Sequence, residues 1–273
     1  MGTVLAENVA PADSFILKVE FLNEHSLFLS EEAQTIKRIC LLAIIIACFS
    51  VSQRCLATSS TNSLKQQERN SVSLELEFSP KKATAVQRLV SFLDWEPNAY
   101  ATGFFVSNRL VITAYHVVSG ELNISKRLAL GLGRSEELAV RVFTHGCEAR
   151  VLSFDKDADL ALLEVCSMSD GSQSLAFQST IEKDEKVLLI ARPHGKKIVG
   201  YGTFNGAYSL NGIEYWSLRM TTRDGFSGSP VYNTHGEIIG VFSGYDWSQN
   251  LAIVSRGDRV QKLLEGFLST DKP

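Results

Sequence analysis

Ser227 stands in the run Gly225-Phe226-Ser227-Gly228-Ser229-Pro230-Val231-Tyr232. A serine hydroxyl is a poor nucleophile at neutral pH. One that attacks a substrate needs a base within hydrogen-bond reach and donors for the negative charge that develops. Small flanking residues let substrate and backbone approach closely. The run therefore demands a histidine and a carboxylate elsewhere in the chain. His116 answers the first demand, following two apolar runs at 103–106 and 110–112 through the small residues Thr113 and Ala114. Asp155, Asp157 and Asp159 answer the second, all just ahead of the apolar run Leu160-Ala161-Leu162-Leu163. Each residue alone has an ordinary reading. A serine between glycines is usually a turn, a histidine after a strand structural, and an aspartate before a strand a cap.

These residues must be carried by something, and from about residue 81 the texture is that of short strands. Apolar runs at 102–106, 110–113, 139–143, 160–165, 186–191, 198–204, 215–220, 230–232, 237–243 and 251–254 are separated by Gly, Asn, Asp and Ser clusters. Many short strands at this spacing predict an all-β barrel or sandwich. Near the end, Val260, Leu263, Leu264, Phe267 and Leu268 share one helical face, so a short C-terminal helix is expected to pack on the strands. His25, His145, His194 and His235 read as surface or loop residues, Gly131-Leu132-Gly133 as a hairpin turn, and Lys196-Lys197 as a solvated loop.

With the histidine, carboxylate and serine segments side by side, the chain resembles the trypsin-like serine proteases. Thr113-Ala114-Tyr115-His116 is similar to the T-A-x-H of that family. Its D-[IL]-A-[LI]-[LI] pattern selects Asp159 over Asp155 and Asp157. The Ser227 run with Gly240-Val241-Phe242-Ser243-Gly244 resembles the family's serine motif and the strand after it. The style is nearest to bacterial HtrA-like and glutamyl-endopeptidase-like members, and the resemblance covers roughly residues 99–264. It implies two six-stranded antiparallel β-barrels of the chymotrypsin type with a short C-terminal helix, the first over about 85–178 and the second over about 179–258, within a protease domain at 81–268. It also implies His116 as base, Asp159 as its orienting carboxylate, Ser227 as nucleophile, and the N–H groups of Gly225 and Ser227 as oxyanion hole. Thr221 and Thr222 would floor the primary pocket. Phe242, Ser243, Gly244 and Tyr245 would form the substrate-binding edge, with Ser243 near the aspartate. With neither Thr221 nor Thr222 charged, the pocket is expected to suit a small or medium apolar side chain. The implied partner is a protein or peptide substrate.

Phe226 departs from the family, which has Asp or Asn there. In mammalian trypsins that aspartate pairs with a new N-terminus. A phenylalanine cannot, so activation by a buried ammonium is not expected. A catalytically inactive protein-binding relative of the same fold is the alternative reading. Too few residues follow Ser227 for the C-terminal peptide-binding domain that HtrA-like proteins often carry, and none is expected.

The composition suits a globular protein: 273 residues, 45% hydrophobic and 21% charged. A net charge of -3 gives no basic field for nucleic acid. No Cys or His spacing calls for a metal, and no glycine fingerprint for a cofactor. Lys37-Arg38 precedes an apolar run at 39–51 and the small-residue ending Cys55-Leu56-Ala57, which together read as a signal peptide or membrane anchor at 37–57. Cleavage after Ala57 is preferred over lipidation at Cys48. Residues 1–36 form a long leader of unassigned status, and 58–80 a linker. The chain is thus expected to be exported, periplasmic or secreted, with membrane association through 39–51 as a variant. Of five cysteines, Cys147 and Cys166 fall in the folded part, where pairing and free thiols both stand open.

Overall fold

A computed structural model describes residues 65, 67–81, 97, 99–122, 127, 137–166 and 175–270. Every described residue lies in one compact unit, Asn62–Pro273. The leader, the segment 37–57 with Cys40, Cys48 and Cys55, His25 and the glycine pair at 131–133 lie outside the described residues. Among those described, no helix is long and apolar enough to cross a membrane.

Six strands make the first barrel: β1 (Ser71–Pro80), β2 (Ala99–Phe105), β3 (Leu110–Thr113), β4 (Leu138–Thr144), β5 (Cys147–Asp155) and β6 (Leu160–Glu164). Six more make the second: β7 (Lys186–Ala191), β8 (Ile198–Leu210), β9 (Ile213–Arg219), β10 (Pro230–Tyr232), β11 (Ile238–Asp246) and β12 (Leu251–Arg256). Both sheets close on themselves, in the orders β1-β2-β3-β6-β5-β4 and β7-β8-β9-β12-β11-β10. The two orders are the same permutation of six strands, and every neighbour is antiparallel. Closure gives every strand two neighbours, though β10 covers β11 only over Ile238–Val241 and leaves that side of Ser243–Tyr245 without a strand partner. The expected pair of six-stranded barrels is what the chain forms.

Alternation explains the cores. In β1, Val72, Leu74, Leu76 and Phe78 point inward and meet Val111, Leu163 and Val142 inside the first barrel. Leu189, Phe204, Leu218, Val231 and Val254 fill the second. A third cluster joins Phe104, Ile112, Leu160 and Leu162 to Ile190, Tyr232, Ile238 and Val241 between the barrels. Helix α1 (Tyr115–Ser119) follows β3, and α2 (Gly257–Thr270) closes the chain. Val260 and Leu263 of α2 dock in the third cluster, with Leu264 and Phe267 half-buried, whereas Leu268, expected on the same face, is exposed.

Two strands depart from the expectation. The linker placed at 58–80 ends early, because Ser71–Pro80 is β1, paired with β2 and β4, so the first barrel starts ahead of 81. Its apolar residues alternate strictly, but serines and glutamates interleave them. β5 was absent from the expected strands because its residues are mostly exposed or half-buried and carry no apolar run. Cys147 at its start is disulfide-bonded to Cys166 just past β6, with Cα atoms 6.0 Å apart.

Candidate active site

Asp159 organises the first-barrel side. Strand β3 runs to Thr113, Ala114 is extended (φ -76°, ψ 143°), and α1 begins at Tyr115. The first N–H groups of a helix lack partners within it. Asp159 supplies two: its Oδ1 accepts from His116 N at 2.8 Å and its carbonyl from Tyr115 N at 3.1 Å. This arrangement puts Asp159 at φ 53°, the left-handed region that aspartate tolerates better than most residues. Its Oδ2 lies 2.8 Å from His116 Nδ1. An ionised carboxylate only accepts, so Nδ1 carries the proton and Nε2 of the neutral ring is left as an acceptor. The rival aspartates are engaged elsewhere. Asp155 Oδ1 caps the turn through Ala158 N at 2.9 Å while its Oδ2 takes Arg259 Nη2 at 2.8 Å. Asp157 offers its carbonyl to the Tyr215 hydroxyl at 2.5 Å. Burial raises the pKa of that hydroxyl, so it remains a donor.

The second barrel holds this turn from the other side. Ser243 Oγ donates to Asp159 Oδ2, and Ser255 Oγ donates to the Ala158 carbonyl. Ser243 is free to do so because β11 shifts register between Phe242 and Gly244, leaving one extra residue out of the ladder.

Ser227 lies in a turn fixed before and behind. Phe226 is buried in the second core, edge-on to Phe242 with centroids 6.4 Å apart. Gly228 N donates to Phe242 O at 2.8 Å, and Ser229 N to Phe226 O at 2.9 Å. Gly228 adopts φ 82°, and a Cβ there would lie 2.1 Å from both Thr102 O and Thr113 Oγ1, so only glycine fits. The Ser227 Oγ is 2.9 Å from His116 Nε2. His116, Asp159 and Ser227, drawn from both barrels, thus form one hydrogen-bonded series. Ahead of it, Phe226 N donates to Arg223 O at 3.3 Å, closing a turn whose third residue is Gly225 at φ 85°. Among the described residues, neither the Gly225 nor the Ser227 N–H donates a hydrogen bond.

A cavity of about 530 Å³ is lined by Thr221, Thr222 and Tyr245, and also by Arg219, Trp247 and Asn250; none of His116, Asp159, Gly225 and Ser227 lines it. Phe242 does not line it. Strand alternation turns its ring into the barrel core, where it is 4% exposed, so it is removed from the expected substrate-contacting set. Gly244 faces open space, since a Cβ there would meet nothing within 4 Å. His145 and His235 sit in turns, and His194 lies in the loop after β7, its ring 3.8 Å from Tyr100.

Sequence reasoning missed Thr102. Fully buried in β2, it donates through Oγ1 to Gly225 O at 2.8 Å and accepts from Arg192 N at 2.9 Å. Its N–H donates to Ser227 O at 2.9 Å. No local pattern marks a threonine whose partners lie so far along the chain.

Two closed six-stranded barrels with a serine, a histidine and an aspartate at their junction define a chymotrypsin-type fold. Residues 101–241 match the trypsin-like peptidase domain, and the chain belongs to that family. A curated relative, named as a probable periplasmic serine endoprotease DegP-like from Pseudomonas savastanoi pv. phaseolicola, is 25% identical over 157 residues, covering 54% of this chain and 29% of the relative. The chain therefore spans well under half of that relative's length. Among solved structures, the active form of the Rv3671c protease from M. tuberculosis superposes with a TM-score of 0.54 at 20% identity, over 74% of this chain and 82% of that one. The serine endoprotease from Yersinia pestis superposes with a TM-score of 0.53 at 15% identity, over 77% and 66%. At these identities the likeness is one of fold.

Proposed function

We propose that the chain is a serine endopeptidase that hydrolyses peptide bonds through an acyl-enzyme, with Ser227 as nucleophile, His116 as base and Asp159 as its orienting carboxylate. The observation that carries this reading is the series Ser227 Oγ to His116 Nε2 at 2.9 Å and His116 Nδ1 to Asp159 Oδ2 at 2.8 Å. Ser227 Oγ bonds to the scissile carbonyl carbon as its proton passes to His116 Nε2. The carbonyl oxygen takes the negative charge and is met by the N–H groups of Gly225 and Ser227; one such donor is worth about 2.7–4 kcal/mol of barrier. The carbon–nitrogen bond then breaks, and His116 delivers its proton to the leaving amine. Water repeats the sequence on the ester and restores the Ser227 hydroxyl.

The substrate is a protein or peptide lying along the Ser243–Tyr245 edge, with one side chain directed to the cavity at Thr221 and Thr222. That cavity carries no carboxylate, which disfavours lysine and arginine as its occupant. Export is supported by the periplasmic naming of the curated relative and by the Cys147–Cys166 disulfide, a bond that persists in oxidising compartments. Mass spectrometry of the mature N-terminus distinguishes cleavage after Ala57 from lipidation at Cys48 and from an anchor kept at 39–51.

A fluorophosphonate probe tests the central claim. Wild type should be labelled once, and Ser227→Ala not at all, with turnover down on the order of 10⁶-fold. Equal absence of labelling in both folded proteins favours the inactive protein-binding alternative.

A further inference from the structure

Donors for an oxyanion act well only when held in place before the substrate arrives. Gly225 is held from an unexpected direction. Its carbonyl accepts from Thr102 Oγ1 at 2.8 Å, and the same hydroxyl oxygen accepts from Arg192 N at 2.9 Å. The next residue, Pro193, lies against Gly225 so closely that a Cβ on the glycine would be 2.6 Å from Pro193 Cβ. The backbone at 192–193 therefore braces the oxyanion turn both through a hydrogen bond and by contact.

This brace is itself pinned by the segment that leads into the first barrel. Arg192 Nη2 donates to the carbonyl of Glu68 at 2.6 Å. The Glu68 carboxylate pairs with Lys197 Nζ at 2.8 Å. Gly195 N donates to Ser73 Oγ at 3.1 Å, and the His194 ring lies on Tyr100. Arg192 Nε is buried with no partner among the described residues. A guanidinium kept half-buried with one of its donors unmet is a poor way to gain stability, and the penalty is tolerated where a position must be fixed.

We propose that residues 67–73 set the oxyanion turn, with Arg192 and Glu68 as positioning residues that act through Thr102 and Pro193 on Gly225. The inference rests on the peptidase reading above. It gives this chain an internal substitute for an ammonium–aspartate pair that Phe226 rules out. The contacts come from side chains and backbone within the chain, so they form on folding and need no new terminus.

The test compares Arg192→Met, which keeps the stem and removes the Glu68 bond, with Arg192→Lys, which restores a donor. The readouts are kcat and KM on a chromogenic peptide, the rate of fluorophosphonate labelling, the affinity for a peptide boronate that fills the oxyanion site, and Tm. Arg192→Met should lower kcat, labelling rate and boronate affinity by roughly 10- to 100-fold, below the full loss of an oxyanion donor. KM should stay within about twofold, because ground-state contacts are untouched. Arg192→Lys should recover part of the loss. If Arg192→Met does not fold, Glu68→Gln, which removes only the Lys197 pair, should show a smaller loss in the same readouts. Wild-type labelling and boronate affinity in the folded variants, or losses that merely track Tm, overturn the inference and leave the peptidase reading intact. A wild type not labelled at Ser227 overturns both.

Discussion

Thr102 Oγ1 donates to the carbonyl of Gly225 at 2.8 Å, joining β2 of the first barrel to the turn of the second that precedes Ser227. The two residues lie 123 positions apart, and the hydroxyl oxygen also takes Arg192 N–H. Replacing Thr102 with valine keeps the shape and removes the oxygen that serves both groups. Thr102→Val should destabilise the fold by about 1–3 kcal/mol, the usual effect of stranding buried polar groups. Urea unfolding checks this, with a lower midpoint and an unchanged slope as the expected outcome.

Asp159→Asn should keep the cap on α1 through the side-chain oxygen but let the amide donate towards His116 Nδ1. The ring would then adopt the tautomer with its proton on Nε2, facing Ser227. Turnover should fall by about 10⁴-fold, with KM changed little. Steady-state kinetics beside a melting curve check it, and a loss below tenfold would contradict the role given to Asp159.

Gly228→Ala should be among the most damaging single-methyl changes available. The added carbon meets a backbone oxygen and a hydroxyl at 2.1 Å and sits at φ 82°. Left-handed strain and overpacking together should cost about 2–5 kcal/mol. Calorimetry should show a markedly lower Tm. Gly244→Ala, into open space, should melt close to wild type.

Phe226 makes a different demand. Its ring fills the second barrel against Phe242, and a phenyl ring has no charge with which to hold an N-terminal ammonium. Forms of the protein that start at different points ahead of residue 65 should therefore give equal active-site titres. Dependence on one particular terminus would refute this. Phe226→Ala should lose about 3–5 kcal/mol by leaving a cavity.

The turn after β11 gives a pH signature. Asp246 accepts from the Ser248 hydroxyl at 2.6 Å and from the Tyr208 hydroxyl at 2.8 Å, and these bonds hold its carboxyl down to about 2 from 3.8. Because the folded value is depressed, the contribution to stability is complete above the unfolded value and fades as pH falls from there through about 2. Carboxyl-carbon NMR should find the Asp246 midpoint near 2, and Tyr208→Phe should move it up.

The strands were readable where apolar residues form runs. β3, β7 and β10 have the expected limits because each is a short, mostly apolar block between turns. β1 was lost to the linker although Val72, Leu74, Leu76 and Phe78 alternate, since period-two patterns carry fewer apolar residues per length than buried runs. The roles of His116, Asp159 and Ser227 were suggested by motif. The supports around them were not, because Thr102, Ser255 and Tyr215 act through partners in the other barrel. Phe242 was misplaced since adjacent residues in a strand face opposite ways, and the sequence does not say which way the first of them points.

The register shift at Ser243 fixes the phase of everything after it. Without the extra residue, Tyr245 would exchange faces with its neighbours, and the hydroxyl given to Asp159 would be lost. Grafting a loop from a relative into this strand therefore has a counting rule. The exposed residues 247–250 can change identity, but removing Ser243 from between Phe242 and Gly244 would put the substrate edge and the aspartate's support out of step with each other.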